Sequence, residues 1–220
     1  MSKSTAIRWL ALLGLGGSVV FVAAVVALHG LQPQLSPMND AVSYYVHGAY
    51  GWLTTVGLIA LGIGSVALTL AVAGRVRGRG GNIGVVALAV WGMSGLAAGI
   101  FSADPPGNWD QPPSLSGAVH GLAAMIAIAS FPLAAVLLTR NLSRDHRWQR
   151  FRGALLALAA AVALSFIAFM GSLLPVFVSP GPPVWLGLTE RVMLAVYVAW
   201  LTVVAVGLPR SLQSNSRPAA

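Results

Sequence analysis

A sparse set of polar side chains that could bind a ligand or carry out chemistry lies among long apolar segments. They are Ser43, Tyr44, His47, Asp104, His120, Glu190 and Arg191. Histidine and carboxylate groups bind Zn²⁺ and act as general acids or bases, whereas a guanidinium suits phosphate or carboxylate groups. The sequence therefore predicts one binding site from these seven residues. Its candidate metal ligands are His47, Asp104, His120 and Glu190; no catalytic residue is assigned.

The composition identifies the kind of element that must position these residues. The chain has 220 residues, of which 57% are hydrophobic and only 8% charged, whereas a soluble domain carries about 25% charged residues. Cysteine is absent, which excludes disulfides, thiolate metal sites and a cysteine nucleophile. These numbers indicate a polytopic membrane protein built from α-helices.

Six apolar segments are each long enough to cross a bilayer, which takes about 20 residues. They are predicted at 9–28, 37–73, 83–101, 115–138, 154–175 and 187–208. The predicted fold is an all-α six-helix transmembrane bundle forming one domain over 1–220, with a polar tail at 209–220. The first segment is longer than the apolar region of a signal peptide and lacks a clear cleavage site, so we expect it to be retained.

The second segment carries the densest polar pattern. Ser36 can cap a helix and Pro37 suits its first position, so a helix is predicted over 37–73, about 55 Å long and longer than a bilayer is thick. Polar and small residues with helical spacing would share one face of its first turns. They are Asp40, Ser43, Tyr44, His47, Gly51 and Thr54. The first three turns are expected to stand outside the membrane or to line a cavity, with this face toward protein or water, because polar groups facing lipid are costly.

Charge distribution predicts the orientation. In a six-span arrangement all but one of the 13 Lys and Arg residues fall on one side, and Arg191 is the exception. Four of the five acidic residues share its side: Asp40, Asp104, Asp110 and Glu190. The positive-inside rule then places both termini in the cytoplasm and the polar set at the outer face of a bacterial inner membrane. The basic loops could attract anionic headgroups, but they lack the interleaved aromatics of a nucleic-acid surface, so no nucleic-acid partner is expected.

The helix ends place the polar set at one depth. Asp104 follows the third segment, His120 lies about one turn into the fourth, and Glu190 and Arg191 lie in the first turns of the sixth. Ionisable residues at membrane depth usually have partners. We expect Glu190 or Asp104 to pair with His120, and Arg191 to pair with an acid.

Short motifs at these helix ends carry a family resemblance. They are Leu35-Ser36-Pro37, Tyr50-Gly51-Trp52-Leu53, Gly99-Ile100-Phe101, His120-Gly121-Leu122-Ala123-Ala124 and Gly187-Leu188-Thr189-Glu190-Arg191-Val192. In order and placement they resemble the DUF998 family of bacterial six-span proteins, over about residues 31–208, and more distantly the Frag1/DRAM group linked to membrane lipid organisation. The resemblance implies a six-span fold, a membrane location and attention to Ser43, Asp104, His120, Glu190 and Arg191. His47 departs from the family pattern.

Three classes of function remain open. The first is binding, sensing or organising a lipid or small amphiphile through an outward-facing polar pocket, which fits a small chain without a soluble domain. The second is an intramembrane hydrolase, with Ser43 as nucleophile and a histidine as base, but the chain has no H-x-x-x-H pair. The third is a transporter or partner subunit, for which the prolines within two spans, Pro132 and Pro175, give weak support.

Cofactors and partners follow from the same residues. Zn²⁺ could bind the histidines and carboxylates. A haem would need two facing histidines, and nothing beyond His47 and His120 indicates one. Expected partners are membrane lipids and either a second copy of the chain or another membrane protein.

Overall fold

The structure, a computed structural model, describes residues 2–107, 111–178 and 185–213. Six long helices make up most of this part of the chain. They are α1 (Lys3–Leu31), α2 (Trp52–Ala73), α3 (Gly78–Ile100), α4 (Leu115–Leu142), α5 (Arg152–Val178) and α6 (Leu186–Gln213). Each is long and apolar enough to cross a membrane, which confirms the predicted all-α six-span class. Asp110 and the end of the predicted tail, 214–220, lie outside the described residues.

The helices form a closed ring in chain order, because α6 returns to pack against α1. Among the described residues, α4 and α5 are the neighbours in the ring that pack least closely. We call the end where α2, α4 and α6 begin the distal end, and the opposite end the proximal end. The segments 32–51, 101–107 and 111–114 lie at the distal end, and the segments 74–77 and 143–151 lie at the proximal end.

The contact between α1 and α2 depends on glycine. A Cβ atom added to Gly17 would collide with the main-chain carbonyl of Ala60, and one added to Gly64 would lie 3.0 Å from the carbonyl oxygen of Leu13. Apolar side chains gain little from helix association in lipid, so small residues that let backbones approach closely are common at such contacts. Gly17 and Gly64 therefore set the distance between these two helices.

Replacing Gly17 by alanine is expected to lower the free energy of unfolding by about 1–3 kcal/mol, because the new methyl group meets backbone that cannot rotate away. The neighbouring Gly16→Ala is a matched control, since its Cβ would meet no atom within 4 Å and both changes gain the same helix propensity. Unfolding by SDS in mixed micelles measures the difference. Equal stability of the two variants would contradict close packing at Gly17.

An aromatic layer crosses the middle of the bundle. Its members come from α3, α4 and α6 and are all buried: Trp91, Phe131, Tyr197 and Trp200. Phe131 stacks on Tyr197 with ring centroids 4.2 Å apart, and the Trp91 and Trp200 rings meet Phe131 edge-on. The Tyr197 hydroxyl donates to the carbonyl of Ile128 at 3.1 Å, so the buried polar group of this ring is satisfied.

The predicted helix over 37–73 is wrong over residues 37–51, because α2 begins only at Trp52. Residues 36–40 instead form a closed turn, in which the Asp40 amide donates to the Ser36 carbonyl at 2.8 Å. The Asp40 carboxylate accepts from the Ser36 amide at 2.7 Å. The acid therefore caps its own turn, and Ala41 then takes up an extended conformation that ends any helical path.

The rest of this segment folds back across the distal end; residues 32–51 are called the distal loop. A short 3₁₀-helix covers Val42–His47, and an extended Gly48 ends it. The buried Gln32 side chain donates to the Tyr45 carbonyl at 3.0 Å and ties this turn to the end of α1. The predicted polar face from Asp40 to Thr54 is consequently broken into separate pieces.

The remaining helices agree with the predicted spans to within a few residues, except that α1 extends beyond its apolar segment at both ends. A serine caps the start of α4. Ser114 is its N-cap, with the hydroxyl oxygen accepting from the Gly117 amide at 3.0 Å. Such a side chain satisfies one of the free amide groups at a helix start.

Candidate functional site

A cavity of about 610 Å³ opens at the distal end between α4 and α5, beside the start of α6; we call it the main cavity. On α4 its lining runs from Gly117 to Ile128, a depth of about 16 Å at 1.5 Å per residue. The cavity therefore extends from the helix ends to about one helical turn short of Phe131 in the aromatic layer, along the loosest contact of the ring.

The lining of the main cavity changes from polar to apolar along this depth. Near the distal end the lining groups are Ser43, Tyr44, Asp104, Ser114, His120 and Glu190. Deeper in the bundle they are Ala124, Met125, Ile128, Phe169 and Leu173. A molecule that filled this space would need a polar end and an apolar end.

His120 is 8% exposed, and the protein fixes its tautomer. Its Nδ1 lies 2.8 Å from the Ala98 carbonyl oxygen and 2.9 Å from that of Phe101. Carbonyl oxygens only accept hydrogen bonds, so Nδ1 carries the proton and donates it to the end of α3. In the neutral ring Nε2 is then an acceptor. It has no partner within the described residues, and the residue lines the main cavity.

Two smaller cavities adjoin the main one and share His120 and Ser43 with it. The inner cavity, of about 60 Å³, is lined mainly by apolar side chains including Trp91 and also contacts Glu190. The other, of about 10 Å³, contains the buried Thr54 hydroxyl, which has no hydrogen-bond partner among the described residues. Its volume is about that of one water molecule. His120 therefore stands where three spaces meet.

Glu190 lies in the first turns of α6 and is partly buried. Its Oε2 accepts a hydrogen bond from the Val42 amide at 2.7 Å, which ties the distal loop to α6. The expected pairing of Glu190 or Asp104 with His120 is wrong, because the imidazole binds backbone carbonyls instead. The second carboxylate oxygen of Glu190, Oε1, has no hydrogen bond from any described residue and remains an available acceptor in the cavity lining.

Asp104 lies at the mouth of the main cavity and organises the start of α4. Its two carboxylate oxygens accept from the Ser114 amide at 2.9 Å and from the Ser114 hydroxyl at 2.5 Å. A Cβ at Gly117 would collide with this carboxylate. The negative charge lies beside a helix N-terminus, where it is stabilised by the helix dipole.

Ser43 and Tyr44 bring two hydroxyl groups from the distal loop to the main cavity. Neither hydroxyl has a hydrogen-bond partner in the parts of the chain that the structure covers. Burial, and then the nearby carboxylates of Glu190 and Asp40, raise the pKa of Tyr44 to about 12. The phenol is therefore protonated at neutral pH and can donate to a ligand.

His47 is exposed and is not among the lining residues of the three cavities. Its Nε2 donates to the carbonyl of Ala103 at 2.8 Å. This bond joins the distal loop to the segment that follows α3. The structure thus separates His47 from the other predicted site residues.

Arg191 is also outside the main cavity, and its expected pairing with an acid is wrong. Its Nε donates to His29 Nε2 at 2.8 Å, and Nη1 donates to the carbonyls of Asp40 and Gly187 at 2.7 and 2.9 Å. Nη2 donates to the Tyr45 hydroxyl at 3.3 Å. The guanidinium is therefore a clamp between α1, the distal loop and α6.

The predicted metal site is not assembled. Within the described residues no group of three or more histidine and carboxylate side chains is placed to hold a metal ion. The reason is visible in the contacts: His47 lies outside the cavity lining and binds the Ala103 carbonyl, and both carboxylate oxygens of Asp104 bind Ser114, the N-cap of α4. His120 and Glu190 alone would give Zn²⁺ too few ligands.

Sequence reasoning missed His29 and Gly121. His29 directly follows the predicted span 9–28; it donates from Nδ1 to the Val25 carbonyl at 2.6 Å and presents Nε2 to Arg191. Gly121 lines the main cavity, and a Cβ there would meet no atom within 4 Å. One sequence signal could have indicated that Gly121 lies at the site: it directly follows His120 in the predicted fourth span.

Comparison with known proteins gives a family over most of the chain. Residues 15–207 match the family described as "Protein of unknown function (DUF998)". No curated protein and no solved structure matches the chain. The matched range includes the complete lining of the main cavity and the Arg191 clamp.

Proposed function

This chain belongs to the DUF998 family, and we propose that it binds a membrane lipid or another small amphiphile in the main cavity. It is a multi-pass membrane protein, with six helices able to cross a bilayer. The observation that carries the proposal is the change in the cavity lining, from carboxylates, hydroxyls and an imidazole to apolar side chains over about 16 Å. An amphiphile has the same change of polarity along its length.

The position of the cavity supports the proposal. It lies where α4 and α5 pack least closely, so an amphiphile could enter sideways from the lipid with its tail in the apolar part. Ligand sites are commonly apolar hollows with a few convergent polar groups. Ser43, Glu190 and His120 are the polar groups that converge here.

Hydrolysis is less well supported than binding. A serine nucleophile needs a base within hydrogen-bonding distance, and the Ser43 hydroxyl makes no hydrogen bond with His120. The bond from Nδ1–H to the end of α3 leaves Nε2 free to accept a proton, but no described hydroxyl group is hydrogen-bonded to it. The described residues thus offer a ligand polar contacts without an activated nucleophile.

We also propose that the protein lies in a bacterial inner membrane, with its proximal end at the cytoplasmic face and the main cavity at the opposite face. The positive-inside rule supports this orientation, because Arg75, Arg77 and the basic run at 144–152 lie at the proximal end. These side chains would contact anionic headgroups there.

A cavity-filling substitution tests the proposal. Gly121→Leu would place an isobutyl group in the open space beside His120, and we expect at least a tenfold loss of bound amphiphile. Gly16→Leu is the matched control, because Gly16 is exposed on α1 and its Cβ would also meet no atom within 4 Å. Native mass spectrometry of the detergent-purified proteins measures the lipid retained per chain.

The proposal would be overturned if the unmodified protein retained no lipid and bound none saturably on titration. Equal retention by the Gly121→Leu and Gly16→Leu proteins would also overturn it, because the bound lipid would then lie elsewhere. Circular dichroism of both variants checks that the helices are unchanged.

A further inference from the structure

The polar part of the main cavity combines carboxylate and imidazole acceptors with neutral hydroxyl groups, and its described lining residues carry no lysine or arginine. From this we infer that its preferred amphiphiles have a positively charged, hydrogen-bond-donating headgroup, that is, an ammonium group. The inference rests on the proposed function and adds the chemical class of the ligand's polar end.

Hydrogen-bonding capacity is the first observation. His120 is more than nine-tenths buried, and because its Nδ1–H is bound to carbonyls, the unpartnered Nε2 accepts. Glu190 keeps Oε1 free while Oε2 binds the Val42 amide. Asp104 has further lone pairs beyond the two hydrogen bonds from Ser114. An ammonium group supplies up to three donors to such a set, whereas a phosphate or carboxylate supplies none when ionised.

The absence of a cationic group from the lining is the second observation. The described lining residues of the main cavity include no lysine and no arginine. Arg191, adjacent in sequence to Glu190, would be the natural anion receptor, but four of its five N–H donors are engaged by protein acceptors. A phosphate could engage more than the one remaining N–H only by displacing the hydrogen bonds that hold Arg191 against α1 and the distal loop.

Local charge is the third observation. The described residues of the distal end carry three carboxylates, Asp40, Asp104 and Glu190, against the single guanidinium of Arg191. A negative field of this kind attracts cations and repels anions. The Tyr44 ring, also in the lining, can add a cation–π contact to an ammonium group.

Three probes with the same tail test the inference: dodecylamine, dodecanol and dodecanoate, titrated at neutral pH into the protein in nanodiscs of zwitterionic lipid. Specific binding is the amount of probe bound by the unmodified protein minus the amount bound by the Gly121→Leu protein. Native mass spectrometry measures both amounts. We expect the unmodified protein to bind dodecylamine at least tenfold more tightly than either other probe.

The variant that isolates the charge is Glu190→Gln. Its amide oxygen can still accept from the Val42 amide, so the distal loop should stay in place while the charge is removed. We expect the preference for dodecylamine to fall below threefold. Asp40→Asn is the control. It removes an equal negative charge that also acts on Tyr44, but Asp40 lies outside the cavity lining. The Asp40→Asn protein should therefore keep its preference for dodecylamine.

Tighter specific binding of dodecanoate than of dodecylamine would overturn the inference while leaving the proposed function intact. Equal binding of dodecanol and dodecylamine would overturn the charge requirement, as would an unchanged preference in Glu190→Gln. Specific binding of none of the three probes, together with no retained lipid, would overturn the proposed function itself.

Discussion

Arg191→Ala is expected to lower the free energy of unfolding by about 3–5 kcal/mol, because it leaves several acceptors unpaired, each at a cost of about 1–3 kcal/mol. These acceptors are the His29 imidazole, the Asp40 and Gly187 carbonyls and the Tyr45 hydroxyl. Tyr45 is fully buried, and few waters could reach its hydroxyl in place of the guanidinium. SDS titration in mixed micelles measures the loss.

The geometry of the clamp explains why charge alone should not restore it. The guanidinium donates in three directions, to α1, to the distal loop and to the first turn of α6, and it lies 5.6 Å from the centre of the Tyr45 ring. Arg191→Lys keeps the charge but lacks the planar fork, so we expect it to recover less than half of the lost stability.

Arg210→Ala is the matched control at the other end of α6. The Arg210 guanidinium lies 5.9 Å from the centre of the Phe151 ring, an exposed cation–π contact of about 0.5–1 kcal/mol. A loss at Arg191 no larger than that at Arg210, or full recovery by lysine, would contradict the clamp.

Arg191 shows which part of the site could be predicted from sequence. An arginine at a helix N-terminus opposes the helix dipole and stands apart from the other basic residues, so a specific partner was expected. The partner's identity could not be predicted. A carbonyl acceptor has no sequence signature, and His29 is 162 positions away in the chain.

The distal loop shows the same limit for the fold. Bilayer thickness sets the length of an apolar span, so six spans could be counted directly. Ser36, Pro37 and Asp40, however, suit a capped helix and a closed turn equally well. Contacts between the distal loop and α6 select the closed turn. The Leu188 amide donates to the Met38 carbonyl at 3.0 Å, and the Glu190 carboxylate accepts from the Val42 amide.

The main cavity could be predicted only in part. Its polar groups were identified because ionisable residues are rare in membrane helices. Its apolar depth comes from the loose contact between α4 and α5, and apolar residues such as Met125 and Phe169 have no pattern that separates a cavity wall from ordinary packing. Cavity shape is a property of the assembled ring.

The aromatic layer below the cavity gives the second large effect. Phe131 is fully buried and lies one turn beyond Ile128, the deepest α4 residue of the cavity lining. Phe131→Ala is expected to lower the free energy of unfolding by about 3–5 kcal/mol, because it removes a stacked ring and leaves a hole among large side chains. Leu133 lies on the same helix and is 50% exposed, so Leu133→Ala should lower the free energy of unfolding much less.

The same substitution should also change the preferred length of the ligand's tail, because Phe131 lies only one helical turn beyond Ile128 at the apolar end of the cavity lining. Removing the Phe131 ring would extend the apolar part toward the proximal end, so the variant should bind a 16-carbon alkylamine more tightly relative to dodecylamine than the unmodified protein does. Native mass spectrometry in nanodiscs measures both probes. If chain-length preference stayed fixed while stability fell, the aromatic layer would be a packing element only, and the tail of the ligand would lie against α5 instead of along α4.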